Sequence, residues 1–417
     1  MTKRLSVWFF AHHVGELHAR NGQLQFSYHP SWLAHKDAMA LSASLPLQPE
    51  PFDDATARPF FAGLLPEGAL RTLIARNLQI SERNDFALLD ALGGDCAGAI
   101  HFGDSENSPK PHNQDGVSWL SDTELAQTLA TLPRRPMLAG KDGIRLSLAG
   151  AQDKLPVVVH RQRIGLPVGD TPSTHILKPA ITYVDDSVHN EAFCMTLAKQ
   201  IKLSAADVSV VRQGGSCFLL VKRYDRRTDA EGQTKRLHQE DFCQALAVPP
   251  EIKYQREGGP SLADCFHLLR QVSRPNAPQI LRLLDYVIFN ALIGNHDAHA
   301  KNFSLLYNNP TPTLAPLYDA LSTAIYPSLT AKMAMKIGSK YDFDALHARH
   351  WMQFAASAGL GKAQVVKRVE QLATQLPPAA RKLQGSPEHP FNDLKIVESI
   401  CTTIELRCQQ ARRRLSL

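Results

Sequence analysis

The chain has 417 residues, a formal net charge of +6 and the apolar and charged fractions of an ordinary globular protein, and this length predicts two or three packed units. It contains no apolar run long enough to cross a bilayer, no segment typical of a signal peptide, and seven scattered cysteines without CxxC pairs. These features argue against a membrane span, a disulfide framework and a zinc site, and they favour a cytoplasmic protein.

Residues 1–110 are predicted to form a small mixed α/β subdomain. Its predicted elements are two strands and two helices, at Leu5–Phe10, Leu24–Tyr28, Ala69–Asn77 and Asp85–Leu92. The turn residues Asn21 and Gly22 lie between the two strands. The polar, proline-containing segment Asp104–Gln114 has the composition of a linker, and we place a domain boundary there.

Residues 116–245 are predicted to form a β-rich domain, and residues 246–417 a helical one. The first contains one clear helix, Asn190–Lys202, among the β-like segments Leu155–His160, His175–Leu177, Val208–Val211 and Phe218–Arg223. In the second, apolar residues recur at helical spacing in Leu262–Val272, Ile280–Ile293, Phe343–Ser357, Lys362–Gln375 and Leu394–Arg414. A β-rich half followed by a helical half is the layout of a two-lobed kinase.

The most informative motif places Asp297 five positions before Asn302. In kinases this D-x-x-x-x-N spacing lets the aspartate accept the proton of the substrate hydroxyl while the asparagine holds Mg²⁺. The apolar stretch Leu314–Tyr318, interpreted as a strand after a short hairpin, delivers a second carboxylate, Asp319. Because Mg²⁺ prefers oxygen ligands, these residues predict a phosphoryl-transfer site.

Two other interpretations of this motif stay open. Asp297 and His299 could be polar residues at the C-terminus of a helix, with Asn302 as its cap. The pair His296–Asp297 also resembles the HD pair of metal phosphohydrolases. Such a site needs further ligands from other helices, and the neighbouring helices offer only His267 and Asp285.

A loop of small residues, Gly143–Lys154, lies just before the strand Leu155–His160. Small residues there can let backbone N–H groups approach phosphate oxygens, as a glycine-rich loop does. The sequence Ala149-Gly150-Ala151 is also an ordinary tight turn, and on the pattern alone the turn is the favoured interpretation. Ser147 in this loop is either a phosphate acceptor or a turn residue.

Lys178 ends an apolar strand, as does the kinase lysine that neutralises the ATP phosphates. In the alternative interpretation, Lys178 simply extends its ammonium group to water. Glu191, in the next helix, is placed like the glutamate that pairs with that lysine, or it is a first-turn acid that favours the helix dipole. The segment Gln239–Phe242 falls where a hinge would meet adenine through its backbone, although a charged helix start explains it equally well.

Five segments together resemble the HipA family, the serine/threonine-kinase toxins of bacterial toxin–antitoxin pairs. They are Ser147–Lys154, Thr174–Lys178, Gln239–Asp241, Asp297–Ser304 and Tyr318–Asp319. They occur in the family's order with family-like spacing, and Phe61–Gly68 further resembles its N-terminal subdomain. The resemblance therefore spans nearly the whole chain.

This resemblance implies an α+β, two-lobed protein-kinase-like fold with an extra N-terminal α/β subdomain (1–110), a β-rich ATP-binding N-lobe (116–245) and a mainly helical C-lobe (246–417). It implies ATP and Mg²⁺ as cofactors, with Asp297 and Lys178 as catalytic residues and Asn302 and Asp319 as metal ligands. Ser147 falls on the serine that family members phosphorylate to inactivate themselves. The implied ATP contacts are Ala149, Gly150, Ala151, Gln152, Asp153, Lys154, Lys178, Glu240, Asp241, Phe242, His299, Ala300, Lys301, Asn302, Tyr318 and Asp319.

The resemblance also implies partners. They are a HipB-like helix-turn-helix antitoxin, operator DNA reached mainly through that antitoxin, and an aminoacyl-tRNA synthetase substrate, glutamyl-tRNA synthetase above all. The chain lacks a G-x-G-x-x-G loop and has Asp153 where the family often has glutamate. Two alternatives stay open: a small-molecule phosphotransferase, since such enzymes share D-x-x-x-x-N, and a catalytically spent co-repressor that acts with a DNA-binding antitoxin.

Overall fold

The computed structural model describes residues 3–10, 12–103, 116–141, 143–169, 171–213, 215–229, 233–308 and 311–415. The predicted linker Asp104–Gln114 lies outside them. The chain forms two compact units: unit 1 comprises Met1–Pro179, Val211–Glu251 and Leu306–Pro310, and unit 2 comprises Ala180–Val210, Ile252–Leu305 and Thr311–Leu417. In the described ranges, no helix is both long and apolar enough to span a membrane.

Strands and helices are mixed along the chain, which confirms the predicted α+β class. The strands are β1 (Lys3–Phe9), β2 (His12–Arg20), β3 (Gln23–Tyr28), β4 (Ile100–Gly103), β5 (Val117–Trp119), β6 (Leu155–His160), β7 (Arg163–Pro167), β8 (His175–Pro179), β9 (Val208–Gln213), β10 (Ser216–Lys222), β11 (Arg226–Thr228), β12 (Thr234–Arg236), β13 (His238–Asp241), β14 (Ser304–Tyr307), β15 (Thr313–Leu314), β16 (Lys332–Ile337) and β17 (Lys340–Asp342). The helices are α1 (Pro30–Leu33), α2 (Asp54–Ala62), α3 (Gly68–Leu78), α4 (Asp85–Leu92), α5 (Asp122–Thr131), α6 (Ser187–Gln200), α7 (Phe242–Ala245), α8 (Leu262–Val272), α9 (Ala277–Ile293), α10 (Ala348–Ser357), α11 (Lys362–Gln384) and α12 (Lys395–Leu415).

Unit 1 begins with an antiparallel sheet in the order β3-β2-β1-β4. The turn from β2 to β3 has Asn21 at φ +53° and Gly22 at φ +79°, the left-handed pair that a tight hairpin favours. The sequence does not predict β2. Its buried apolar residues Val14 and Leu17 are three positions apart, which is a helical rather than a strand spacing.

A second sheet of unit 1 has the order β5-β7-β6-β8-β10-β9. Its strands β6, β8 and β10 coincide closely with predicted β-like segments. One hydrophobic core joins the two sheets of unit 1, with Phe61 and Phe102 in the same buried cluster as Leu155, Leu177 and Phe218. The division into domains 1–110, 116–245 and 246–417 stays a prediction.

The helices of unit 2 match the predicted helical segments, apart from shifts of up to three residues at some ends and two larger differences. Residues 343–345 form only a 3₁₀ turn, and α10 begins at Ala348 rather than Phe343. Helix α11 continues beyond Gln375 through Pro377 and Pro378, although proline usually ends a helix. Its buried apolar stripe continues past the prolines at Ala380 and Leu383, so packing outweighs the local preference.

The segment before Asp319 also differs from the prediction. Strand β15 covers only Thr313 and Leu314, so the prediction of a strand through Tyr318 is wrong. Pro316 interrupts the stretch, because proline has no N–H to donate to a sheet. Leu317 instead forms an isolated parallel bridge with Ala205.

Candidate active site

Helix α9 ends at a glycine that turns the chain into the Asp297 loop. Gly294 lies at φ +77°, and its N–H donates to the Asn290 carbonyl. A Cβ at this position would lie 2.6 Å from the Cβ of Ala324, so a larger residue does not fit. The Asn290 side chain also accepts from the Asn295 amide at 2.8 Å. The end of the helix and the start of the loop are therefore joined by side-chain as well as backbone bonds.

Within this loop, Asp297 and Asn302 are in direct contact. The Asn302 side-chain amide donates to the Asp297 carbonyl at 3.2 Å, and the N–H of His299 donates to the same oxygen at 2.8 Å. The Asp297 N–H donates to the Asn295 side chain at 3.1 Å. Asp297 is exposed, whereas His299, Ala300 and Lys301 are buried. The D-x-x-x-x-N spacing thus forms a closed loop that presents the carboxylate outward.

One partner of Asp297 comes from outside this loop. The hydroxyl of Tyr254 donates to Asp297 Oδ1 at 2.7 Å, and the Tyr254 ring lies edge-on to His299 with the centroids 5.1 Å apart. Sequence reasoning missed Tyr254, because it lies 43 positions before Asp297 in an irregular segment.

Asp319 follows a segment that is fixed to the same loop. The Tyr318 hydroxyl donates to the Lys301 carbonyl at 2.6 Å and lies 2.6 Å from the Ser304 hydroxyl. Asp319 itself is half-buried and adopts φ +55°. Farther along, Ser322 exchanges two hydrogen bonds with the Asn190 side chain of α6, at 2.8 and 2.9 Å. Asp319 is therefore held between two anchors, although it does not end a strand.

These residues fit a magnesium ion by their donor chemistry. Asn302 and Asp319 offer an amide and a carboxylate oxygen, and the bond from the Asn302 amide nitrogen to Asp297 directs its oxygen away from that carbonyl. Mg²⁺ is commonly bound by one or two protein carboxylates together with substrate phosphates and waters. Among the described residues, no group of three or more His, Cys, Asp or Glu side chains could hold a metal ion.

The two residues that could complete a phosphohydrolase metal site, Asp285 and His267, are bonded to other side chains of unit 2. Asp285 is paired with Arg368 at 2.6 Å, and His267 Nε2 lies 2.8 Å from the side-chain amide of Gln271. His296 Nδ1 lies 3.0 Å from the Thr330 carbonyl. The second interpretation, an aspartate at a helix C-terminus, is also incomplete, because α9 has already ended at Gly294.

In unit 1, the loop Gly143–Lys154, called the Ser147 loop below, lies against two other segments of that unit. Leu146 forms a parallel bridge with Asp95, and Gly150 forms another with Pro66. Ser147 is fully buried and donates from its hydroxyl to the Leu64 carbonyl at 2.8 Å. The serine is thus inaccessible while the loop holds this conformation.

The second half of the loop bends at Gly150, which has φ +108°. There the Lys154 ammonium donates to the Ala149 carbonyl, and a Cβ on Gly150 would lie 2.7 Å from that ammonium. Only glycine gives this close approach. Burial raises the pKa of Asp153, which is half-buried next to Lys154. The segment Ala149–Lys154 therefore bends sharply at Gly150, as the turn interpretation predicted, and its role as a phosphate loop stays a prediction.

A cluster of buried charges that the sequence did not reveal supports this loop. Asp95, whose N–H and carbonyl pair with Arg145 and Ser147, points its carboxylate at Arg223, Arg226 and Arg236. The three guanidinium groups hold the pKa of Asp95 well below its usual range, despite its complete burial. The three arginines are 128 to 141 positions from Asp95 in the sequence, so no local pattern marks them.

Lys178 lies within β8 and pairs in register with Leu219 of β10. Only 6% of it is exposed, so the alternative of a lysine that extends to water is wrong. Glu191 is also buried, and it lies beyond the first turn of α6, which contains no acidic residue. The first-turn alternative is therefore wrong. The Lys178–Glu191 pair stays a prediction, because the two residues belong to different units.

The predicted hinge residues have structural roles for their side chains. The Glu240 carboxylate is buried and accepts from Ser42 and Tyr307. Asp241 caps α7 and exchanges two bonds of 2.9 Å with Gln244, which confirms the interpretation of a helix start. Phe242 is fully buried. Contacts of this segment with adenine stay a prediction for its backbone.

Known proteins resemble this chain along nearly its whole length. A protein of Sinorhizobium fredii named putative kinase Y4mE is 47% identical over 402 residues, which cover 95% of this chain and 96% of that protein. The serine/threonine-protein kinase toxin HipA of Shewanella oneidensis is 28% identical over 95% of this chain and 93% of its own. The fold matches a chain in the structure of the Shewanella oneidensis HipA, HipB and operator DNA complex, with a TM-score of 0.85, 27% identity and 97% of both chains covered.

Family models agree with these relatives. The model of the HipA N-terminal domain matches residues 5–103, and the model of the HipA-like C-terminal domain matches residues 146–380. The second match alone includes Ser147–Lys154, Lys178, the Asp297–Asn302 loop and Asp319. The chain belongs to the HipA family.

Proposed function

We propose that this protein is an ATP- and Mg²⁺-dependent protein serine/threonine kinase that acts as the toxin of a HipA–HipB-type pair. The observation that carries the proposal is the closed Asp297–Asn302 loop of unit 2, which presents an exposed Asp297 carboxylate and holds the Asn302 side-chain amide on the Asp297 main-chain carbonyl. The names of the two relatives, a putative kinase and a kinase toxin, support it.

In the proposed reaction, Asp297 accepts the proton of a substrate serine or threonine hydroxyl. The hydroxyl oxygen forms a bond to the γ-phosphorus of ATP, the bond between that phosphorus and the β,γ-bridging oxygen breaks, and ADP leaves with the electron pair. Little covalent chemistry is required of the protein, so positioning and charge neutralisation account for most of the acceleration.

The other predicted residues take supporting roles. Mg²⁺ would neutralise the phosphate charge that develops during transfer. Asn302 and Asp319 would hold it through their oxygens, and Lys178 with Ala149–Lys154 would bind the phosphates. The backbone of Glu240–Phe242 would meet adenine, while His299, Ala300, Lys301 and Tyr318 would line the nucleotide site.

Ser147 is the proposed site of self-inactivation. Its hydroxyl is buried on the Leu64 carbonyl, so phosphorylation requires the loop to leave this position first. A phosphoserine carries about two negative charges at neutral pH, and burying them without partners is strongly unfavourable. The modified loop would therefore stay displaced, and its backbone could no longer serve the ATP phosphates.

Partners and target belong to the same proposal. The Shewanella oneidensis complex contains HipA, HipB and operator DNA, and this chain covers 97% of the matched chain. We therefore propose a HipB-like helix-turn-helix antitoxin as partner and contact with operator DNA mainly through it. The proposed substrate is an aminoacyl-tRNA synthetase, glutamyl-tRNA synthetase first, whose phosphorylation would arrest translation and growth.

Mass spectrometry of the protein incubated with Mg·ATP and a cell lysate tests the proposal. The expected result is phosphate on Ser147 and on a serine or threonine of a tRNA synthetase. Phosphate found only on small molecules would favour a small-molecule phosphotransferase. A lack of ATP binding in calorimetry would leave the co-repressor alternative.

A further inference from the structure

Tyr254 forms a hydrogen bond with Asp297, the proposed catalytic base. Its hydroxyl donates to Asp297 Oδ1 at 2.7 Å. Asp297 is exposed, and its backbone bonds fix the main chain but leave the carboxylate free to rotate. The Tyr254 hydroxyl therefore fixes the one part of Asp297 that its own loop does not.

The segment that carries Tyr254 is itself a tight, supported turn. The Tyr254 carbonyl accepts from the N–H groups of both Glu257 and Gly259, at 2.9 and 3.0 Å. Gly259 admits no side chain, since a Cβ would lie 2.1 Å from the Ile252 carbonyl oxygen. Gln255 accepts from the backbone N–H of Lys336 in β16 at 2.7 Å. The turn is thus bonded both to itself and to a neighbouring strand.

The aromatic ring is held as well as the turn. It contacts His299 edge-on, and the cationic groups of Lys253 and Arg256 each lie 5.6 Å from its centroid. His299 belongs to the same loop as Asp297. The ring and its hydroxyl therefore contact the Asp297 loop at two points.

We propose that Tyr254 is a positioning residue, which orients the Asp297 carboxylate for catalysis by binding one of its oxygens; the inference rests on the kinase function proposed above. A carboxylate has two oxygens, so a donor on Oδ1 leaves Oδ2 to accept the proton of the substrate hydroxyl. Tyr254 acts through Asp297 and takes no proton itself.

The test compares phosphate incorporation from radiolabelled ATP into the protein itself and into purified glutamyl-tRNA synthetase. Tyr254→Phe keeps the ring and removes the hydroxyl. We expect its kcat to fall about ten- to a hundred-fold, because a small misplacement of a catalytic group has effects of this size. The KM for ATP and the melting temperature should remain those of the wild type. Tyr254→Gln, which keeps a donor, should recover part of the lost kcat.

Tyr341→Phe is the matched control, because it removes the hydroxyl of a half-exposed tyrosine elsewhere in unit 2 that likewise has a lysine over its ring. It should behave as the wild type. A wild-type kcat for Tyr254→Phe would overturn the inference, and so would an increased kcat, which would mean that the hydroxyl obstructs the base. An inactive wild type would overturn the proposed kinase function and, with it, this inference. An active wild type with an unaffected Tyr254→Phe variant would overturn the inference alone.

Discussion

The Asn302 side-chain amide donates to the main-chain carbonyl of Asp297 over 3.2 Å. This bond joins the first and last residues of the D-x-x-x-x-N motif, and it explains why the two residues are five positions apart. Five positions are enough for a 3₁₀ turn, Ala300–Asn302, to return the asparagine to the aspartate. The proposed base and the proposed metal ligand are therefore parts of one small loop, and a change to one affects the geometry of the other.

Asn302→Ala should lower kcat by about a hundred-fold or more, because it removes both an oxygen ligand and the bond to Asp297. Asn302→Asp keeps an oxygen ligand but has no N–H to donate to the Asp297 carbonyl. It should therefore retain more activity than Asn302→Ala and reach half of its maximal rate at a different Mg²⁺ concentration from the wild type. Phosphate transfer measured across a Mg²⁺ titration checks both variants. The control is Asn308→Ala, at an exposed position after β14. Equal Mg²⁺ dependence of Asn302→Ala and the wild type would argue against the ligand role.

Ser147→Ala should abolish labelling of the loop yet leave transfer to other proteins intact. It also leaves the buried Leu64 carbonyl without its donor, so we expect a loss of about 1–3 kcal/mol in the free energy of unfolding. Ser147→Glu places a charge at a fully buried position and should release the loop and weaken ATP binding strongly. Denaturant unfolding and ATP calorimetry measure the two effects. Wild-type ATP affinity in Ser147→Glu would contradict the proposed inactivation.

Asp95→Asn should destabilise unit 1 by about 3–5 kcal/mol, because it leaves three buried guanidinium groups with one carboxylate fewer. The loop bonds made by the Asp95 backbone should weaken with it. Urea unfolding measures the change, and Glu124→Gln, at an exposed helix cap, serves as a control with a small effect. A loss below about 1 kcal/mol would mean that the cluster contributes little to stability.

The raised pKa of Glu240 should make the free energy of unfolding depend on pH. Burial raises its pKa from 4.5 to about 7, so the folded state binds this proton more tightly than the unfolded chain does. The contribution is fully present below about pH 4.5 and is lost as the pH rises through about 7, with a size of about 3 kcal/mol. His238 acts oppositely: burial lowers its pKa from 6.5 to about 4, so its contribution is lost as the pH falls.

Glu240→Gln separates these two groups, because it removes one titration and keeps His238. Relative to the variant, the wild type should lose free energy of unfolding between pH 5 and pH 8. Denaturant unfolding at several pH values measures the difference. A difference that stays constant with pH would contradict the raised pKa of Glu240.

The sequence predicted best where function depends on neighbours in the chain. The contact between Asp297 and Asn302 follows from a spacing of five, which a single 3₁₀ turn closes. Helices α4 and α8 were predicted to the residue, since apolar residues recur at helical spacing in both and a capping residue, Asn84 or Ser261, precedes each.

The sequence predicted less where distant segments meet. Tyr254 reaches Asp297 from 43 positions away, and Arg236 reaches Asp95 from 141. Neither pair leaves a periodic signal, since each depends on how whole elements pack. The strand expected before Asp319 failed for a local reason, because Pro316 cannot donate to a sheet. Asp319 is held instead by the bonds of Tyr318 on one side and by those between Ser322 and Asn190 on the other.

The most direct test of the account is phosphate transfer by Asp297→Asn. This change keeps the size of the side chain and an oxygen that can accept from Tyr254, so folding and ATP binding should match those of the wild type. A general base accounts for about a hundred- to ten-thousand-fold in rate, and phosphate incorporation into Ser147 and the target should fall by that factor. Transfer at the wild-type rate by a folded, ATP-binding variant would contradict the assignment of Asp297 as the catalytic base.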